Sequence, residues 1–350
     1  MDNRMRPIAC FVTFGLMAAT GVGLGDPAAA QIGIVPPRAL TQPQPPLPRN
    51  VSDLPIEGWA TVRFSVLADG TTSDVRVIEI VPPVVDPGPT IEAVERWTFD
   101  PGSRGGEPVD WHNTEGVVVF ELADGSASPS ESFVERYDGI RQLLESGSFE
   151  EALAETESLL DQSTSHPEVG LALAQQAIAY VGLADLHSAL VRLRQASDPR
   201  IPTLPGSELL SVLQLRFQIE VQLGRRSEAL ATYQRIVHAL GSESANPYQA
   251  IADQLAVERE TIDALPVQAR VSEVPWRTAV GRRTFTIADV EGMVRGIGIE
   301  CDFRATQLPF QPDQEISLPT SWGACELFID ADPGTSFVYY EFLDVQDGSR

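Results

Sequence analysis

Apolar and polar positions alternate with a period of two through residues 56–66. Ala60, Val62, Phe64 and Val66 fall on one side of an extended chain, with Thr61, Arg63 and Ser65 on the other. That pattern predicts a strand. Ala68-Asp69-Gly70 predicts a hairpin turn, because Gly70 can adopt positive φ. Residues 74–81 read as the return strand, ended by Pro82-Pro83. Pro89 then opens a short helix. Ile91, Val94 and Trp97 recur every third residue, so one face meets the sheet, and Asp100-Pro101-Gly102 stops the helix. A Val-rich last strand, residues 116–122, precedes Asp124-Gly125. The expected order for 51–124 is β-β-α-β.

From residue 131 to 265 the period becomes helical. Three pairs of helices share a turn followed by a small residue. The turns read Gly147-Ser148-Phe149, Ala184-Asp185-Leu186 and Gly224-Arg225-Arg226, and the small residues are Ala152, Ala189 and Ala229. These alanines are 37 and 40 positions apart. A repeat of that length predicts stacked helical hairpins, with each Ala facing its partner helix. Residues 251–265 read as one more helix that caps the array. Residues 275–345 return to β. The runs 283–287, 297–303, 325–329 and 336–342 are alternating, β-branched or aromatic, and prolines separate them. The predicted class is a multidomain α+β chain that ends in a small all-β domain.

The N-terminus differs from both patterns. Arg4 and Arg6 precede an apolar run, and Ala28-Ala29-Ala30 follows it. That order predicts a secretory signal peptide over 1–30, and hence a periplasmic protein. The alternative is an uncleaved anchor in the inner membrane, since the apolar run is about long enough to span. Residues 31–50 form a Pro-rich tether, with six prolines between 33 and 50. At about 3.1 Å per residue it would reach only ~50–60 Å. Cleavage removes Cys10 and leaves Cys301 and Cys325. Two cysteines in an exported chain predict one disulfide, and two buried free thiols are the alternative.

Charge then narrows the function. The 350 residues carry 49 acids against 25 bases, for a net charge of −24. Every base is Arg, because the sequence has no Lys. Binding to a nucleic-acid backbone is therefore not expected, and Lys nucleophiles and P-loop lysines are excluded. The four His (His112, His166, His187 and His238) are scattered, so neither a metal site nor another cofactor is expected. No Gly-x-Ser-x-Gly occurs, so catalysis has no motif to rest on. Arg141, Arg192, Arg194 and Arg216 are candidates to line a groove for an acidic peptide tail.

Several motifs of residues 47–124 occur in a recognisable order. They are the Glu57-Gly58 start, the Asp69-Gly70 hairpin, Trp97-Thr98-Phe99-Asp100-Pro101-Gly102, and Gly106-Glu107-Pro108-Val109 leading into the last strand. This segment resembles the TonB C-terminal domain, and residues 131–240 look like tetratricopeptide (TPR) repeats. The resemblance implies protein–protein binding in the cell envelope, with an outer-membrane TonB-dependent transporter as a candidate partner. It implies that the last strand, Gly116, Val117, Val118, Val119, Phe120, Glu121 and Leu122, receives an extended peptide by strand addition. Trp111 and His112 are candidate flanking contacts. The alternative is a soluble periplasmic adaptor that binds through its repeats, with the TonB-like domain purely structural. The chain departs from the family in its short tether and in the more than 220 residues that follow the domain.

Overall fold

In this computed structural model, residues 34–343 are described, except 51–52, 123–127, 202, 242–245 and 272–275. The expected signal or anchor at 1–30 lies outside the described residues, as does Cys10. Among the described residues no helix is long and apolar enough to cross a membrane. The chain divides into two compact units. One comprises Met1–Phe133, Leu160–Val169 and Pro199–Ile201, and the other Val134–Leu159, Gly170–Asp198 and Pro202–Arg350.

The first unit is built on strands β1 (Ile34–Val35), β2 (Arg38–Thr41), β3 (Gly58–Val66) and β4 (Thr72–Val81), and on helix α1 (Gly88–Val94). Strands β5 (Thr98–Asp100), β6 (Ser103–Arg104), β7 (Glu107–Pro108) and β8 (Trp111–Phe120) complete it. Its main sheet has the antiparallel order β4-β3-β8. Ala60, Val62 and Phe64 are buried on one face of β3, and Phe64 packs against the chain that leaves α1. Phe64 meets Trp97 edge-on at 5.6 Å and Phe99 at 5.5 Å. Gly70 takes φ +84°, and a Cβ there would lie 2.2 Å from the Phe99 carbonyl oxygen, so the turn requires glycine. The helix ends at Val94, so Trp97 and Phe99 lie after it, with Phe99 in β5. The segment expected as a free tether is held against the unit. β1 pairs with β6, β2 pairs with β5, and Trp97 Nε1 donates to the Pro43 carbonyl at 3.1 Å.

The helices are α2 (Glu131–Ser146), α3 (Phe149–Gln162), α4 (His166–Gly182), α5 (Leu186–Ala196), α6 (Gly206–Gln222), α7 (Arg226–Leu240) and α8 (Gln249–Thr261). The three hairpin turns share one backbone motif. Gly147, Ala184 and Gly224 all have positive φ. The following N–H of Ser148, Asp185 and Arg225 returns to the carbonyl of Leu143, Tyr180 and Glu220 respectively. This six-to-one bond satisfies a carbonyl that each helix end leaves open. Ala152, Ala189 and Ala229 are each fully buried. Ala229 packs with Leu213 and Phe217 of α6 and with Tyr233 and Ile236 of its own helix, in one cluster with Ala252 and Leu255 of α8.

Strands β9 (Ala264–Arg270), β10 (Trp276–Ala279), β11 (Thr284–Glu291), β12 (Val294–Cys301), β13 (Arg304–Pro309), β14 (Ile316–Ser317), β15 (Cys325–Ala331) and β16 (Ser336–Phe342) follow. They form two antiparallel four-stranded sheets, β10-β15-β12-β13 and β14-β11-β16-β9. Both contribute to one core that contains Phe285, Tyr339, Ile299 and Leu327. Cys301 and Cys325 are registered partners across β12 and β15, and their sulfurs are bonded at 2.03 Å. The free-thiol alternative is therefore set aside. The last helix is shorter than expected: α8 stops at Thr261, and 264–270 is a strand. Pro266 denies an amide to a continuing helix, while Leu265, Val267 and Ala269 alternate into the core.

Candidate functional site

The candidate site is the edge of the β4-β3-β8 sheet. Among the described residues, β8 pairs only with β3, in the register Phe64↔Thr114, Val62↔Gly116, Ala60↔Val118 and Gly58↔Phe120. The strand is longer at its start and shorter at its end than the sequence suggested. It begins at Trp111 and ends at Phe120, so Glu121 and Leu122 fall outside it, while Trp111 and His112 lie within it. The early start follows from Asp110, whose Oδ1 accepts the Ala68 N–H at 2.8 Å and ties the hairpin turn to the head of β8.

Side chains on β8 are mostly committed to packing. Val118 is fully buried, and Val117 and Phe120 are nearly so. Gly116 lets the sheet approach Trp97, since a Cβ there would stand 3.2 Å from that ring. Trp111 is buried with its ring over Gly102. His112 is half-buried, with Nδ1 3.3 Å from Ser65 Oγ. These side chains offer a partner little beyond the strand's own backbone.

The opposite face of β3 carries Trp59, Thr61, Arg63 and Ser65, all buried, where simple alternation would put solvent. Arg63 is the cross-strand partner of Glu115 on β8, with a 3.3 Å contact to Oε2. Arg200 binds the other oxygen of Glu115 at 3.1 Å. Glu115 is thus gripped from two sides.

Sequence reasoning missed Glu57, which is fully buried. Its Oε1 accepts the Leu122 N–H at 3.0 Å, and its Oε2 accepts the His166 N–H at 3.1 Å. Its own N–H donates to Thr164 O at 3.1 Å. His166 Nε2 donates to Gly58 O at 3.1 Å, since a carbonyl can only accept. One carboxylate therefore fixes both the chain leaving β8 and the N-terminus of α4. The available signal was an acid directly before an apolar strand, an expensive place for a charge unless backbone donors meet it.

The expected arginine groove does not assemble. Arg194 and Arg225 both bind Glu228, and Arg216 binds Glu220 at 2.8 Å. Arg141 pairs with Asp138 and Glu145. Burial pushes the Glu228 carboxyl up, but Arg194 and Arg225 outweigh it and hold it at about 2. Arg192 alone of the four makes no ion pair among the described residues, and its guanidinium donates to Gln195 Oε1 at 3.1 Å. No cluster of three metal-ligating side chains occurs among the described residues.

The first unit is thus a small α+β domain with a long strand at the edge of its sheet. Residues 43–122 match the family described as Gram-negative bacterial TonB protein C-terminal. A 69-residue stretch is 35% identical to Protein TonB of Escherichia coli (strain K12), covering 20% of this chain and 29% of that protein. The match begins inside the Pro-rich segment, in keeping with the contact between Pro43 and Trp97. The chain therefore carries a TonB-type C-terminal domain and spans less than a third of the relative's length.

Proposed function

We propose that this chain works in the cell envelope by protein–protein binding, with β8 receiving an extended segment of its partner. An outer-membrane TonB-dependent transporter is the first candidate. The observation that carries the reading is the edge position of β8, paired only with β3 among the described residues, inside a domain of the TonB type. An edge strand recruits a partner through backbone hydrogen bonds. On this reading residues 1–30 direct export, and residues 131–265 form a TPR-like scaffold.

A second reading is favoured by the grip on β8. Glu57 and Glu115 are engaged by His166 and Arg200, which follow the TonB-type match in the chain, and this suits a domain whose sheet is tied up by its own chain. On that reading the chain is a soluble periplasmic adaptor that binds through its helices. Titration of a labelled transporter N-terminal peptide separates the two. Outward-facing N–H groups alternate along an edge strand, so either Val117→Pro or Val118→Pro should abolish binding with circular dichroism unchanged. No saturable binding by the wild type, across several such peptides, would leave the adaptor reading.

A further inference from the structure

The second unit contains a cleft that the TonB-type domain does not explain. About 260 Å³ lies among residues from α4, α5, the end of β9 and the turn before β16, with Tyr180, His187, Arg192, Arg270, Val271 and Gly334 in its lining. Cavities of this kind with a few convergent polar groups are the usual places for ligands. Two arginines line it from different elements, Arg192 on α5 and Arg270 at the end of β9. Arg270 is exposed and makes no ion pair with a described residue.

The one carboxylate in the lining is already engaged. Asp185 caps α5, accepting the Ser188 N–H at 3.1 Å and the Ser188 hydroxyl at 2.8 Å. His187 Nε2 lies 3.1 Å from the Gln268 carbonyl, which can only accept, so Nε2 carries the proton and Nδ1 holds a lone pair. Burial pushes the His187 imidazole below its ordinary value, which keeps the ring neutral at pH 7. The cleft therefore presents two cations, the Ser188-bonded Asp185 carboxylate and one neutral acceptor, a net positive set, against an apolar wall that includes Val191 and Val271. In a chain with 49 acids and 25 bases, two arginines that line one cavity with no ion pair to a described residue run against the composition.

We propose that this cleft binds the free C-terminal carboxylate of a short peptide, held between Arg192 and Arg270, with a peptide N–H donated to His187. Two planar guanidinium forks match a carboxylate, and the neutral histidine supplies the acceptor that a backbone amide needs.

The test is calorimetric titration of the full chain with three probes: acetyl-Ala-Ala-Ala with a free C-terminus, its C-terminal amide, and succinate. The free acid should bind saturably and weaken with added salt, and the amide should bind at least about tenfold more weakly. Arg192→Gln and Arg270→Gln should each cost about tenfold, with circular dichroism and the β8 peptide titration unchanged. Equal binding of succinate and the acid peptide would overturn the peptide as the source of the carboxylate. No saturation by any probe at millimolar concentration would overturn the site, as would binding that both variants leave intact.

Discussion

Glu57→Gln tests how far one buried carboxylate holds the end of β8. In the wild type its two oxygens satisfy the N–H groups of Leu122 and His166, at 3.0 and 3.1 Å. Glutamine keeps one acceptor and turns an amide NH2 toward the other donor. The expected cost is one orphaned buried donor and one weakened bond, about 2 kcal/mol. Glu57→Ala orphans both donors and should cost about 4 kcal/mol. The assay is hydrogen exchange read on fragments that cover residues 111–122. A local loss of about 2 kcal/mol raises exchange there about 30-fold, since each 1.4 kcal/mol is a factor of ten. Urea unfolding followed by tryptophan fluorescence gives the global figure, with Trp59, Trp97 and Trp111 all buried in this unit. Unchanged exchange in Glu57→Gln, with an unchanged urea midpoint, would refute the assignment of Glu57 as the tie.

Three further outcomes follow from the second unit. The Glu228 carboxyl is held at about 2 against an ordinary 4.5, so its stabilisation is complete above pH 4.5 and lost as pH falls toward 2. The shift corresponds to about 3 kcal/mol, trimmed to ~2 because the side chain keeps 29% of its surface exposed, so the stability gap between wild type and Glu228→Gln in urea should narrow over that window; a pH-independent gap would refute it. Ala189→Leu overpacks a fully buried position and should lower the urea midpoint by an amount worth about 1–3 kcal/mol, so wild-type stability would show the register to be wrong. Reducing the bond between Cys301 and Cys325, 24 residues apart, should destabilise the β-sandwich by about 3 kcal/mol on the chain-entropy model and leave exchange in residues 111–122 unaltered, and a free-thiol assay confirms the reduction.

What the sequence revealed depended on whether a residue's environment lay near it in the chain. The hairpin at Asp69-Gly70, the three helix turns and the cysteine pair each have local signatures, and all stand where the residues placed them. Alternation in β3 correctly assigned Ala60, Val62 and Phe64 to one face. It could not show that Trp59, Thr61 and Arg63 are buried as well, because this sheet's partners come from far along the chain: Thr164 and His166 meet Glu57 and Gly58 at the start of β3, and Arg200 meets Glu115 on β8. The Pro-rich segment failed for a related reason. Proline favours an extended chain, and β1 and β2 are extended, but composition does not say whether such a chain stands free or pairs. The strand β9 was legible in principle. Pro266 followed by alternating Val267, Ala269 and Val271 is a strand signal, and it was masked by the helical period running into it.

The grip on β8 also bears on how a partner would be held. An exposed, loosely ordered edge strand must be immobilised when it binds, and that ordering subtracts from affinity. Here Asp110 fixes the head of β8 to the hairpin turn, Glu115 is held by Arg63 and Arg200, and Glu57 fixes the chain that leaves Phe120. On the strand-addition proposal, the ordering cost is therefore met when the domain folds, and backbone hydrogen bonds to the incoming peptide count almost in full. Glu57→Gln should then weaken peptide binding even though Glu57 itself is buried away from the partner, while Glu115→Gln, which leaves an amide oxygen for Arg63 and Arg200, should weaken it less. Equal peptide affinity in wild type and Glu57→Gln, with exchange in residues 111–122 raised as expected, would mean that the order of β8 does not limit binding. The partner would then have to be sought on the helical segment, as the adaptor reading holds.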